Sequence, residues 1–331
     1  MEMMTKNTEA PRHFYAFNGD ADGLCALQQL RLAEGGEPGI LVTGVKRDIQ
    51  LLQRVRARAG DQVTALDVSH DQNREAAAAL LQAGAALRYF DHHFAGELPT
   101  HERFEPHINT SADVCTSVLV NKHLAGRFAR WAVVAAFGDE LPLVGQRLAR
   151  ELGLDVAVTH RVAELGHCLN YNAYGDCIAD LHFDPAALAQ VMLPCADPMD
   201  FVNGTPVFAR LRDGYREDMS RANALAPLRA SPGATLICLP DQPWARRATG
   251  MLANERLRRE PDCALAVLTP RAEGGLVVSV RVPEGRAMGA DDFCRGFATG
   301  GGRKRAGGIN HLPEAQLDAF AARFEQAFRQ G

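Results

Sequence analysis

Asp91-His92-His93 ends an apolar run, Ala85 to Phe90, with three side chains of the kind that hold a divalent metal acting on water or phosphate. Acids stand at equivalent places elsewhere. Asp20 and Asp22 lie in Asn18-Gly19-Asp20-Ala21-Asp22-Gly23, directly after His13–Phe17, and Asp67 follows Val63–Leu66. Asp139 follows the apolar run Trp131–Phe137. Each has an ordinary reading of its own: Asp67 as a helix cap, Asp139-Glu140 as a solvated turn, His92-His93 as a surface pair. Asn18–Gly23 also matches the first half of a calcium loop. Against that, its twelfth position is Gln29 rather than glutamate, and a strand precedes it where a helix is required. What sets these acids apart is their recurrence at one strand end after another. In a parallel sheet they line the carboxyl edge, where ligands bind. Carboxylates crowded there repel unless a cation intervenes, and a pair of divalent ions is the simplest fit.

The elements that must place them alternate. Strands are expected at His13–Phe17, Ile40–Val45, Val63–Leu66 and Ala85–Phe90. Helices are expected at Leu24–Leu32, Asp48–Ala57 and Gln72–Ala83, the last capped by Ser69. This rhythm predicts a parallel α/β sheet with right-handed crossovers. Ser111 to about Leu193 reads as mostly helical, interrupted by the loop Asn170–Asp176. Thr205–Leu228 reads as a charged connecting helix ending at Ala230-Ser231-Pro232-Gly233. A second, smaller α/β unit follows, with strands at Thr235–Leu239, Cys263–Leu268 and Leu276–Val282 and helices at Ala245–Arg259, Asp291–Phe297 and Pro313–Phe328. The expected division is 1–203, a linker helix over 204–232, and 233–331.

Thr299–Gly308 carries Gly300, Gly301 and Gly302, then Arg303, Lys304 and Arg305. It reads as a flexible cationic loop whose backbone N–H groups and arginine bind phosphate or carboxylate. His101, His107, His123, His160 and His182 read as mostly solvated, with His107 the one that could face the site. Tyr171–Tyr174 reads as a structural loop, with base stacking as its rival.

The 331 residues fit about two domains, and a net charge of −4 gives no global basic field for long nucleic acid. The eight cysteines show no metal-binding or disulfide spacing and read as reduced, which points to the cytoplasm. Met1–Pro11 lacks an apolar signal core, and no apolar run approaches the about 20 residues that span a bilayer.

The order Asp20-Ala21-Asp22-Gly23, Asp67, Asp91-His92-His93, Gly138-Asp139 and a distant Gly300-Gly301-Gly302-Arg303 resembles the DHH phosphoesterases that carry a C-terminal DHHA1 domain. The resemblance covers nearly the whole chain. It implies a cleft between the two domains and a pair of Mn²⁺ ions, with Mg²⁺ as a substitute. It assigns Asp67 to both ions, Asp20 to one, and Asp22, His92 and Asp139 mainly to the other. His93 would hydrogen-bond the scissile phosphate, Asp91 would orient a neighbouring histidine, and Gly300–Gly302 with Arg303 would hold a substrate phosphate. The chain departs from the family at Ala16, where one branch has histidine, at Asn18, where another has an acid, and at Arg303, where histidine is usual. The expected activity is Mn²⁺-dependent hydrolysis of small phosphorylated nucleotides or short single-stranded oligonucleotides. The rivals are an inorganic pyrophosphate or polyphosphate hydrolase and a non-catalytic nucleotide-binding regulator. No membrane partner is expected, and a homodimer is left open.

Overall fold

The structure, a computed structural model, describes residues 10–35, 39–271 and 273–329. Its contacts divide the chain into two compact units, Met1–Ala173 with Phe183–Ala209, and Tyr174–His182 with Arg210–Gly331.

The first unit begins β1 (His13–Phe17), α1 (Ala21–Glu34), β2 (Ile40–Val42), β3 (Gln62–Leu66), α2 (His70–Gln82), β4 (Ala86–Asp91) and β5 (Phe104–Ile108). The five strands form a sheet in the order β2-β1-β3-β4-β5, and every pairing is parallel. The expected α/β sheet is therefore present, with the carboxyl ends of β1, β3 and β4 side by side. The strands are short and apolar because helices cover them: Phe14, Ala16, Val63, Ala65, Leu87 and Tyr89 share one core with Ala77, Leu80 and Leu81 of α2.

Three local expectations are corrected. Asp48–Ala57 is not an α-helix; only Leu51–Arg54 forms a short 3₁₀ turn. Leu51, Leu52 and Val55 are buried while Ile49 is 46% exposed, so the apolar spacing does not make one helical face. Asn73 Oδ1 accepts the Leu52 N–H there. Ser69 does not cap α2 through its side chain; its hydroxyl donates to the Phe94 carbonyl. β5 lies where no strand is expected. It is a half-exposed edge strand containing Pro106, a residue tolerated only where one strand side has no partner.

The helical stretch comprises α3 (Thr116–His123), α4 (Ala129–Gly138), α5 (Pro142–Glu151), α6 (Val156–Asn172), α7 (Pro185–Met192) and α8 (Pro198–Gly204). α6 runs through Tyr171, which is fully buried, so the expected aromatic loop does not begin there. The division between units falls within α9 (Pro206–Asn223).

The second unit contains β6 (Arg229–Ser231), β7 (Ala234–Cys238), α10 (Pro243–Arg259), β8 (Ala264–Pro270), β9 (Leu276–Arg281), α11 (Ala290–Arg295), β10 (Gly300–Arg303), β11 (Ala306–Leu312) and α12 (Leu317–Phe328). Its sheet has the order β10-β11-β9-β8-β7-β6 and is antiparallel except between β7 and β8. Phe293 of α11 and Phe320, Phe324 and Phe328 of α12 pack on it, each worth about 1.5–3 kcal/mol of burial. The glycine stretch is corrected from a flexible loop to a hairpin, with Gly300–Arg303 paired to Ala306–Ile309. Among the described residues, no helix is long and apolar enough to cross a membrane. All eight cysteines are free.

Candidate metal centre

Each acid reaches the sheet edge by a different local device. Asp20 is the N-cap of α1: its Oδ1 accepts the N–H groups of Asp22 and Gly23 at 3.0 and 3.2 Å. Its Oδ2 accepts from Lys46 Nζ at 2.5 Å. Asp22, in the first turn of the helix, meets the start of α3, where Thr116 N and Ser117 N donate to its two oxygens at 2.6 and 2.7 Å. A carboxylate offers about four lone pairs, so these contacts orient Asp22 and leave it able to take a cation. Asp67 leaves β3 with φ of +58°, a left-handed conformation that Asp tolerates better than most residues. It is 2% exposed and accepts from the Thr116 hydroxyl at 3.2 Å.

Asp139 caps the C-terminus of α4. Close helix packing brings it in: a Cβ at Gly138 would lie 2.4 Å from the Ala21 Cβ, and one at Gly166 would lie 2.2 Å from the Val134 carbonyl oxygen. Glycine at those two positions lets α1, α4 and α6 approach backbone to backbone.

The two histidines differ in which nitrogen is committed. His92 Nδ1 lies 2.9 Å from the Val114 carbonyl oxygen, which only accepts, so Nδ1 carries the proton. Nε2 then points at the acids, 3.4 Å from Asp67 Oδ1 and 3.7 Å from Asp139 Oδ2. A metal-binding imidazole usually has its other ring N–H held by such a carbonyl. His93 Nδ1 instead meets Asp91 Oδ1 at 2.8 Å and stands 3.9 Å from Asp67 Oδ1. That nitrogen serves Asp91, and the ring is held with Nε2 as its remaining polar atom. Asp91 is fully buried, and its Oδ2 has no hydrogen-bond partner among the described residues.

Two groups of potential ligand atoms lie within 4.8 Å of one another: Asp67, His92 and His93, and Asp22, His92 and Asp139. The electrostatics of the cluster match. Burial and then the charges of Asp20 and Asp22 push the Asp67 carboxyl well above the usual range. Burial and then Asp22 push Asp139 up to about 6. Burial would lower His92, but its hydrogen bond to Asp67 and the surrounding acids outweigh that and raise it to about 10. Without a metal the cluster keeps protons to offset crowded charge. An oxygen-and-imidazole donor set of this kind suits Mn²⁺ or Mg²⁺, so Asp22, Asp67, His92 and Asp139 fit a divalent ion. Asp20 differs: burial would raise its carboxyl, yet the charge of Lys46 and its hydrogen bond hold it below the usual range.

The structure thus brings together Asp20, Asp22, Asp67, Asp91, His92, His93 and Asp139 in the first unit. Gly300, Gly301, Gly302 and Arg303 lie in the second unit, on β10, with Arg303 exposed. His107 does not point to the cluster through a hydrogen bond; it stacks on Phe90 with ring centroids 4.3 Å apart and meets Glu105 at 2.6 Å. Sequence reasoning missed Lys46, Asn170 and Thr116. Lys46 follows β2 at the same strand-end edge as the acids, and applying the strand-end argument to bases as well as acids would have found it.

No family model and no curated protein sequence matches the chain. Solved structures do. The exonuclease RecJ bound to manganese superposes with a TM-score of 0.66 at 18% identity, covering 95% of this chain and 89% of RecJ. The DHH domain of a member of the s1p family of ribosomal proteins gives 0.63 at 13% identity, covering 97% and 88%. PggH, a pGpG-specific phosphodiesterase from Vibrio cholerae, gives 0.54 at 15% identity, covering 96% and 99%. These likenesses show that the chain shares the fold of these solved structures, parallel sheet included.

Proposed function

We propose that the protein is a Mn²⁺-dependent phosphoesterase that hydrolyses phosphate esters of small nucleotides, such as short 5′-phosphorylated oligonucleotides or dinucleotides. The observation that carries this reading is the edge cluster in which Asp22, Asp67 and Asp139 gather around His92 Nε2 in two overlapping groups of ligand atoms. When bound there, a divalent ion lowers the pKa of a water and neutralises charge on phosphoryl oxygens.

The chain's own residues do the rest. Asp67, Asp22 and Asp139 fix the ion from three elements, and the Val114 carbonyl fixes the His92 tautomer. His93, tethered through Nδ1 to Asp91, presents Nε2 to a phosphoryl oxygen and stabilises charge developing on it. In the second unit, Gly301, Gly302 and Arg303 offer backbone N–H groups and a guanidinium to phosphate, while the Gly300 N–H is held by the Phe297 carbonyl. RecJ and PggH, which share the fold, act on nucleic acid and on a dinucleotide by their names, and this supports a nucleotide substrate.

Phe94 supports a nucleobase in particular. It follows His93 directly and is 73% exposed, while Ser69 anchors its carbonyl at 2.8 Å. An exposed ring beside the phosphate-handling histidine is a stacking platform, worth about 1–3 kcal/mol per base. The second reading is an inorganic pyrophosphate hydrolase, favoured by the burial of Tyr171, which removes one of the two tyrosines of the expected aromatic loop. The two are separated by product mass after incubation with Mn²⁺ and either a 5′-phosphorylated dinucleotide or pyrophosphate. Phe94→Ala is expected to raise KM about 10-fold on the dinucleotide. Turnover of pyrophosphate alone, unaffected by Phe94→Ala, rejects the nucleotide reading.

A further inference from the structure

The acids at the sheet edge do not share one environment. Asp22, Asp67 and Asp139 each share a group of clustered ligand atoms with His92, but Asp20 belongs to neither group. Its Oδ1 is spent on the α1 N-terminus and its Oδ2 on Lys46. The two-ion arrangement implied by the family likeness therefore does not fit the Asp20 side. We infer that the Lys46 ammonium stands where one of two cations would be needed, so that the chain takes a single divalent ion, on Asp22, Asp67, His92 and Asp139. This rests on the metal-centre reading above.

Three observations converge on it. First, Lys46 is built in rather than draped over the surface. Its backbone N–H donates to the Ala173 carbonyl at 2.8 Å, and its Nζ donates to Asn170 Oδ1 at 2.8 Å as well as to Asp20. Asn170, on the last turn of α6, is 2% exposed and neutral, so it adds an acceptor without adding charge.

Second, two neighbours on this side, Ala16 and Asn18, are uncharged. Ala16 is fully buried in the β1 core, and Asn18 is 8% exposed with its amide donating to the Lys46 carbonyl at 3.5 Å. The donors here, the Asp20 and Asp67 carboxylates and the Asn18 amide oxygen, are thus held beside a fixed ammonium, and it is that charge rather than a lack of donors that keeps a divalent ion out.

Third, the charge division is asymmetric. Lys46 is bonded to Asp20, whereas the group facing Asp67 and Asp139 is the His92 imidazole, with Nε2 at 3.4 and 3.7 Å, where a divalent ion can replace a proton. A divalent ion placed on Asp20 would face a fixed positive charge a few ångströms away and would be repelled. An ion among Asp22, Asp67, His92 and Asp139 would displace a proton from His92 Nε2 but no fixed ammonium or guanidinium.

The test counts ions rather than turnover. The metal-stripped full chain is titrated with Mn²⁺ alone by calorimetry, and ions retained after gel filtration are counted. One Mn²⁺ per chain is expected for wild type and for Lys46→Arg, which keeps the charge. Two are expected for Lys46→Met, which keeps the length and frees Asp20. Two ions on wild type overturn the inference and leave the metal-dependent reading standing, whereas none on wild type overturns both. A Lys46→Met protein that still holds one ion shows that Lys46 is not what excludes the second, and also overturns it. Should Lys46→Met fail to fold, the wild-type and Lys46→Arg counts decide: one each supports the inference, two overturn it.

Discussion

The three consecutive glycines of β10 do different jobs, and single alanine substitutions separate them. A Cβ on Gly300 would lie 1.7 Å from the Cys294 carbonyl oxygen and 2.4 Å from its carbon, both backbone atoms at the end of α11. Neither can rotate away, so strand and helix must part by more than an ångström. Gly302 has φ of +141°, and its Cβ would lie 2.4 Å from the Gly307 Cα. Gly301 has nothing within 4 Å of its Cβ position. Overpacking of this kind costs about 1–3 kcal/mol or more, which in a unit of this size lowers the melting temperature by roughly 5 °C or more. Gly300→Ala should show that loss. Gly301→Ala should melt with wild type or slightly above it, because alanine restricts the unfolded chain more than glycine does. If substrate phosphate approaches the backbone at Gly301, the added methyl should instead raise KM about 10-fold. The assays are thermal melts followed by Mn²⁺-dependent hydrolysis of a 5′-phosphorylated dinucleotide. A Gly300→Ala protein that melts with wild type refutes the packing account. Unchanged KM in Gly301→Ala refutes phosphate binding at this hairpin.

Asp91→Asn keeps an acceptor for His93 Nδ1 but removes the charge behind it, and should lower kcat about 10- to 100-fold with KM little changed; a change confined to KM would show that Asp91 does not act through His93. Asp61 gives the acid limit of the first unit. Burial would raise its carboxyl, but hydrogen bonds from Arg12 and the Arg58 N–H hold it at about 2. That value lies below the unfolded carboxyl of about 3.9, so the stabilisation is complete above about pH 4 and is lost as pH falls toward 2. Asp61→Asn should therefore cost roughly 2 kcal/mol at pH 7 and much less at pH 2, measured by urea unfolding; an equal deficit at both values contradicts the assignment.

Much of this was legible in the sequence, for identifiable reasons. β1 matches its expected span residue for residue, and β3 and β4 agree within one, because buried parallel strands read as short apolar runs bounded by acids. The acids and histidines converge because those strands are parallel, a property that follows from alternation with helices. What stayed hidden depends on contacts remote in sequence. β5 has no apolar alternation and carries Pro106, and it becomes a strand only through the edge that β4 offers. The glycine hairpin pairs through close backbone approach, which glycine composition alone does not distinguish from a loop. Lys46 gains its meaning from Asp20, 26 residues earlier, and Asn170, 124 residues later. No local pattern announces such a cation.

The edge cluster of the first unit is proposed to perform metal-dependent phosphoester hydrolysis. Asp67→Asn tests it most directly, since asparagine tolerates the left-handed backbone at +58° and keeps the side-chain shape while losing the charge. With Mn²⁺ and a 5′-phosphorylated dinucleotide read out by product mass, wild type should turn over and the folded variant should lose activity by more than about 100-fold. Hydrolysis by Asp67→Asn at a rate near wild type would contradict the account.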